Sequence, residues 1–129
     1  MYAFTCEVPL PFEQAVEKFK QALAAEKMGV VSEIDVQAVM KAKLGHEMPP
    51  YRILGACAPG LAKRAIESDR DAGSMLPCGV AAMAVDAGTT RFAFQDPEIM
   101  SGVTDSAVMK DVSKEAKAML LRVRDRLSQ

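Results

Sequence analysis

A β-hairpin is predicted by Val80-Ala81-Ala82-Met83-Ala84-Val85, then Asp86-Ala87-Gly88-Thr89, then Thr90-Arg91-Phe92-Ala93-Phe94. The outer two segments have the apolar residues of strands, and the four residues between them are typical of a turn. Because side chains alternate along a strand, both phenylalanines lie on one face and Arg91 lies on the other. Two strands joined by so short a turn must be antiparallel, so these residues also predict an antiparallel sheet.

Strands and helices alternate in the chain before this hairpin. Apolar residues alternate or cluster over a few positions, as in strands, in Tyr2 to Val8, Val30 to Asp35 and Tyr51 to Cys57. An amphipathic helix is predicted from Phe12 to Leu23, because apolar residues recur there with helical spacing. This order of elements is typical of mixed α and β folds.

Two shorter helices are predicted between the strands. Asp35 is expected to cap a helix from Val36 to Lys43, and Pro59 to begin the next one. The residues expected to face inward are Val36, Val39 and Met40 in the first of these helices, and Leu61, Ala62, Ala65 and Ile66 in the second.

The last helix has the clearest pattern in the chain. It is predicted from Ser106 onward, and basic residues near its C-terminal end suit the helix dipole. Its apolar stripe is Val108, Val112, Ala116, Met119, Leu120, Val123 and Leu127.

These elements together predict an α+β fold, in which residues 1–129 form a single domain. We expect a two-layer domain, with a mainly antiparallel sheet of about five strands and helices on one face. Because so thin a domain leaves one sheet face open, we also expect a homodimer.

Charge and hydropathy exclude several classes of partner. The chain has 16 Lys and Arg against 17 Asp and Glu, so it has no basic excess of the kind that nucleic-acid binding or a polybasic membrane anchor needs. Its first residues, Met1 to Glu7, do not resemble an export signal, and no apolar segment approaches the roughly 18 residues of a membrane span. We therefore expect a cytoplasmic protein that binds neither membrane nor nucleic acid.

Three cysteines and one histidine limit the possible chemistry. A single histidine excludes His-rich zinc sites and two-His iron sites within one chain, and His46 is expected to be a solvated surface residue. Cys6, on the apolar face of the first strand, is expected in the core. In a reducing compartment the cysteines are interpreted as free thiols, metal ligands or a transient redox pair.

Cys57 and Cys78 are the candidate metal-binding and ligand-binding residues. Each lies near a proline where a strand meets a turn. Cys57 also precedes a helix N-terminus, where the helix dipole would lower the pKa of its thiol. If their strands are neighbours, the two thiols could approach each other at the end of the sheet. The competing interpretation is that both are buried and inert, as free cysteines often are.

Glu33 and Asp35 form a second candidate ligand-binding site, because they alternate onto the same face of a strand. Two neighbouring carboxylates could serve as an acid and a base. Alternatively, Asp35 caps the next helix and Glu33 is simply solvated. The chain has no phosphate-binding, dinucleotide-binding, Ser-hydrolase or EF-hand motif, so the sequence assigns it no reaction and no cofactor.

Three segments resemble a known family, the domain-of-unknown-function family 302. They are Glu33-Ile34-Asp35, the Leu-Gly-x-Cys-x-Pro-x-x-Ala pattern from Leu54 to Ala62, and Leu76-Pro77-Cys78. Members typically have asparagine where this chain has Ala58 and Gly79. The resemblance implies a small α+β domain, often dimeric, without an established activity.

Two functional hypotheses follow from these observations. The first is a thiol-based binding module that holds a soft metal, a sulfur species or a small ligand at Cys57 and Cys78. The second is a dimeric structural or interaction domain with inert, buried cysteines and no catalysis.

Overall fold

The computed structural model describes residues 2–129. Its strands are β1 (Ala3–Val8), β2 (Gly29–Asp35), β3 (Tyr51–Cys57), β4 (Cys78–Asp86) and β5 (Thr89–Gln95). Its α-helices are α1 (Phe12–Ala25), α2 (Val36–Leu44), α3 (Pro59–Ser68) and α4 (Ala107–Leu127). Two 3-10 helices, Arg70–Met75 and Pro97–Gly102, precede β4 and α4.

The five strands form one sheet in the order β1-β5-β4-β3-β2, and every neighbouring pair is antiparallel. The predicted hairpin is confirmed as β4 and β5, with Val80 opposite Phe94 and Ala82 opposite Phe92. Its turn is stabilised because the Gly88 N–H donates to the Asp86 carboxylate over 2.9 Å. The predicted α+β fold with a five-stranded antiparallel sheet is therefore confirmed.

The main core lies between the sheet and helices α1 and α4. Leu54, Val80, Phe94 and Phe4 are aligned side by side across four strands. The Phe4 and Phe94 rings stack with centroids 5.2 Å apart, and Phe19 of α1 meets Phe94 edge to face at 6.0 Å. Such aromatic pairs add to the stabilisation that comes from burying apolar area.

A second, smaller core cluster lies beside the first, where α3 and the 3-10 helix Pro97–Gly102 pack against α4 and the 3-10 helix Arg70–Met75 packs against α3. Its buried residues are Ala65, Ala72, Met100, Met109 and Val112. The two clusters meet near the end of the sheet at which β3 ends and β4 begins, and this position defines the candidate site described below.

The other face of the sheet has no comparable cluster of buried side chains among residues 2–129. A second row across the strands, Ile53, Ala81, Ala93 and Thr5, consists of half-buried or exposed residues. An open sheet face of this kind favours a homodimer. The homodimer stays a prediction, which sedimentation analysis at micromolar concentration can test.

Helix α2 differs from the sequence prediction in where its apolar side chains lie. Asp35 caps it as expected, since its carboxylate accepts a hydrogen bond from the Ala38 N–H over 3.0 Å. No residue of α2 is buried, however, and Val39 is exposed. The helix follows an edge strand and ends at Gly45, which adopts a left-handed conformation with φ of 62°.

Ile66 of α3, predicted to face inward, is exposed, while Ala65 beside it is fully buried. None of the helices described in residues 2–129 combines the length and apolar character needed to cross a membrane.

Candidate functional site: a sulfur-lined cavity at the end of the sheet

A cavity of about 40 Å³ lies between the ends of β3 and β4, helices α3 and α4, and both 3-10 helices. Its walls are mostly apolar, and they include residues of both core clusters. Since one water needs about 10–15 Å³ on this measure, the cavity has room for a few waters or one ion.

Cys57 and Cys78 both line this cavity. Cys57 ends β3 and Cys78 begins β4, and the two strands are neighbours as the sequence prediction required. The residue opposite Cys78 is Ala56, so the two cysteines are offset by one position and do not form the close pair expected from the sequence. Neither forms a disulfide, and all three cysteines of the chain are free.

The prediction of a lowered pKa at Cys57 is wrong, because burial raises the pKa of its thiol. Burial also raises the pKa of Cys78, and the nearby Cys57 raises it further. The N-terminus of α3 does little to lower the pKa of Cys57 again. Pro59 has no N–H, and the N–H groups of Leu61 and Ala62 already donate to the Ala58 carbonyl. Both thiols are therefore protonated at neutral pH.

Three methionines that were not predicted as site residues also line the cavity. They are Met28, between α1 and β2; Met75, at the end of the first 3-10 helix; and Met100, within the second. No motif or regular spacing connects them in the sequence. They come together only because three separate connections converge at one end of the sheet.

The side-chain oxygen atoms at the cavity wall already have hydrogen-bond partners. Gln95 accepts from the Gly79 N–H over 3.0 Å. The two Asp96 oxygens accept from the Glu98 N–H at 3.0 Å and from the Lys117 ammonium at 3.1 Å. The Ser113 hydroxyl donates to the Met109 carbonyl over 2.8 Å. Cysteine and methionine sulfur atoms are thus the available donors for a ligand.

Glu33 and Asp35 do not line this cavity. Glu33 contacts Arg52 at 3.1 Å and Lys20 at 3.1 Å, while Asp35 caps α2. Arg52 also pairs with Glu13 at 2.6 Å, so it joins α1 to the edge of the sheet. These contacts give both carboxylates structural roles, and a ligand-binding role for them stays a prediction.

The other two residues considered for chemistry are separate from the cavity. Cys6 packs against the main core opposite Phe92, and burial raises the pKa of its thiol although Arg124 and Arg91 oppose that effect. His46 lies exposed in the loop after α2. Among residues 2–129, no group of three or more His, Cys, Asp or Glu side chains is arranged to hold a metal ion.

Comparison with known proteins agrees with the architecture. The crystal structure of an uncharacterized conserved DUF302 protein from Bacillus stearothermophilus superposes with a TM-score of 0.87 at 24% identity, covering 98% of each chain. No curated protein matches the sequence. The sequence pattern of the family described as Domain of unknown function DUF302 matches residues 4–127. Because this match extends over nearly the whole sequence, the chain belongs to the DUF302 family.

Proposed function

We propose that this protein is a thiol-based binding module, in which Cys57 and Cys78 hold a soft metal ion in the cavity at the end of the sheet. The observation that carries the proposal is that two free cysteines line one small cavity whose side-chain oxygen atoms are otherwise engaged. Thiolates are the preferred ligands of soft metal ions.

The size of the cavity favours an ion over the other ligands considered. Pockets for drug-sized molecules measure about 300–1,000 Å³, whereas this cavity measures about 40 Å³. When both thiols bind the ion, each loses its proton to solvent, and the two negative charges more than balance one monovalent cation. The metal supplies the stabilisation that buried thiolates lack in the free protein.

The offset between the cysteines limits how they can bind. Since Cys78 is opposite Ala56, Cys57 must approach the ion from one position farther along β3. Cys57 is the last residue of β3 and Cys78 is the first residue of β4. Each is therefore paired with a residue of one neighbouring strand: Cys57 with Gly29 of β2, and Cys78 with Ala56 of β3.

Metal titration of the reduced protein under anaerobic conditions tests this proposal. We expect one soft metal ion per chain, and we expect the Cys57→Ser, Cys78→Ser double variant to lose it. Cys6→Ser is the matched control, because Cys6 is a half-buried cysteine outside the cavity. Equal affinity in the wild type and the double variant would overturn the proposal.

A further inference from the structure

We propose that the thioethers of Met28, Met75 and Met100 complete the cysteine site and make it selective for Cu(I) over Zn(II). This inference rests on the proposed metal-binding function and specifies its metal. All three methionines line the same cavity as Cys57 and Cys78, so five of the residues that line it contain sulfur.

The methionines are not simply parts of one continuous core. Met28 belongs to the main core cluster and is 6% exposed, whereas Met100 belongs to the second cluster and is 8% exposed. Met28 and Met100 therefore come together at the cavity between the two clusters, which both of them line. Met75 lines the same cavity and is 37% exposed, so it is the most accessible of the three methionines.

The donor set distinguishes between metals. Zn(II) is bound in proteins by thiolate, imidazole and carboxylate, and almost always by four ligands. Asp96, the one carboxylate among the residues that line the cavity, already binds Lys117, and the single histidine, His46, does not line it. Zn(II) would therefore find two thiolates and no further ligand of a type it prefers.

Cu(I) is suited to the same surroundings. It accepts both thiolate and thioether ligands, which are soft donors. Methionine side chains are flexible, so they can adjust around an ion without a change in the backbone. Neutral thioethers also add donors without placing further negative charge in an apolar cavity, where each buried charge is costly.

Competition titrations test the inference, with a chromogenic Cu(I) chelator in one series and a Zn(II) chelator in the other, both under anaerobic conditions. Replacing all three methionines by leucine keeps the volume and the apolar character of the walls. We expect this triple variant to bind Cu(I) at least about tenfold more weakly, with Zn(II) affinity unchanged. We expect the single variant Met75→Leu, at the exposed position, to bind Cu(I) at least about threefold more weakly than the wild type.

Met83→Leu is the matched control, because Met83 is a half-buried methionine on β4 that does not line the cavity. X-ray absorption at the copper edge gives a second measurement: we expect more than two sulfur neighbours in the wild type and two in the triple variant. Circular dichroism establishes whether each variant is folded. If the triple variant is unfolded, the Cu(I) affinity of Met75→Leu alone tests the inference.

The outcomes separate this inference from the proposed function. If the wild type binds no Cu(I), or the double cysteine variant binds as well as the wild type, the proposed function fails and the inference fails with it. If the cysteine variant loses Cu(I) while the methionine variants match the wild type, the thiol site stands and the thioether role is overturned. Tighter binding of Zn(II) than of Cu(I) also overturns the inference.

Discussion

Pro77 lies directly against Gly55, so that a Cβ atom added to Gly55 would stand 2.5 Å from the Cγ atom of the Pro77 ring. The same Cβ would collide with the Ser32 hydroxyl of β2. The contact joins the Leu54-Gly55-Ala56-Cys57 segment to the Leu76-Pro77-Cys78 segment. Two of the segments that resemble the family therefore meet in space, with the glycine of one giving room for the proline of the other.

Gly55→Ala is predicted to destabilise the protein by about 1–3 kcal/mol, because the methyl group overpacks a site bounded by a rigid ring. Urea unfolding measures the change as a lower midpoint. Gly79→Ala is the matched control, since Gly79 is opposite Gly55 in the sheet and its added Cβ would have only an ordinary contact of 3.8 Å with Gln95. Equal midpoints for the two variants would contradict the steric explanation.

Alkylation by iodoacetamide is predicted to be slow at neutral pH and to accelerate as the pH rises. Burial raises the pKa of Cys57 and of Cys78 from an ordinary value of 9.0, so little reactive thiolate is present at neutral pH. We expect Cys57 to react faster than Cys78, because Cys78 packs against the main core. Mass spectrometry of the folded protein over a pH series measures both rates.

A short unstructured cysteine peptide is the reference for these rates. If the rate at Cys57 has already levelled off at neutral pH, its thiol pKa is lowered, and the prediction fails.

Substitutions in α4 are predicted to distinguish two neighbouring residues. Met109 is 4% exposed and lies in the second core cluster, whereas Val108 is 41% exposed. Met109→Ala should therefore cost about 2–5 kcal/mol of unfolding free energy, and Val108→Ala less than about 0.5 kcal/mol. Thermal or urea unfolding of the two variants measures the difference, and a larger loss for Val108→Ala would show that the helix faces the other way.

The same two residues show what the sequence could predict about the fold. Helical spacing predicted the buried stripe of α4 correctly from Val112 to Leu127, but its first residue, Val108, is exposed, and Met109 is buried instead. Both Val108 and Met109 lie one turn before Val112 and fit the spacing. The choice between them depends on α3 and the 3-10 helix Pro97–Gly102, which cover the Met109 side. Local periodicity contains no information about those neighbours.

The candidate site was predictable to a lesser extent. Cys57 and Cys78 could be identified because each lies beside a turn within a recognisable segment. The cavity methionines could not, since Met28, Met75 and Met100 come from three different connections and meet only in the folded chain. The pKa direction of Cys57 also depended on burial by residues distant in sequence.

Glu26→Gln is predicted to lower stability at neutral pH and to lose this effect in acid. Hydrogen bonds from Arg122 at 2.6 Å and Arg126 at 3.0 Å lower the pKa of the Glu26 carboxyl from its ordinary value of 4.5. The pKa of this carboxyl is lower in the folded chain than in the unfolded chain. The carboxylate therefore stabilises the fold when the pH is above the pKa of the unfolded chain, and this contribution is lost as the pH falls through the pKa of the folded chain. The free-energy difference between wild type and variant should therefore be constant near neutrality and shrink below about pH 4.5.

Glu67→Gln is the control for that series, because the Glu67 carboxylate has a single ion pair within residues 2–129, with the exposed Lys63 at 3.7 Å. Exposed pairs of this kind contribute little, so its effect should be small at every pH. Urea midpoints measured from pH 3 to pH 8 test both variants. A Glu26→Gln effect that persists unchanged into acid would mean that packing, and not the charge held between Arg122 and Arg126, links α1 to the end of α4.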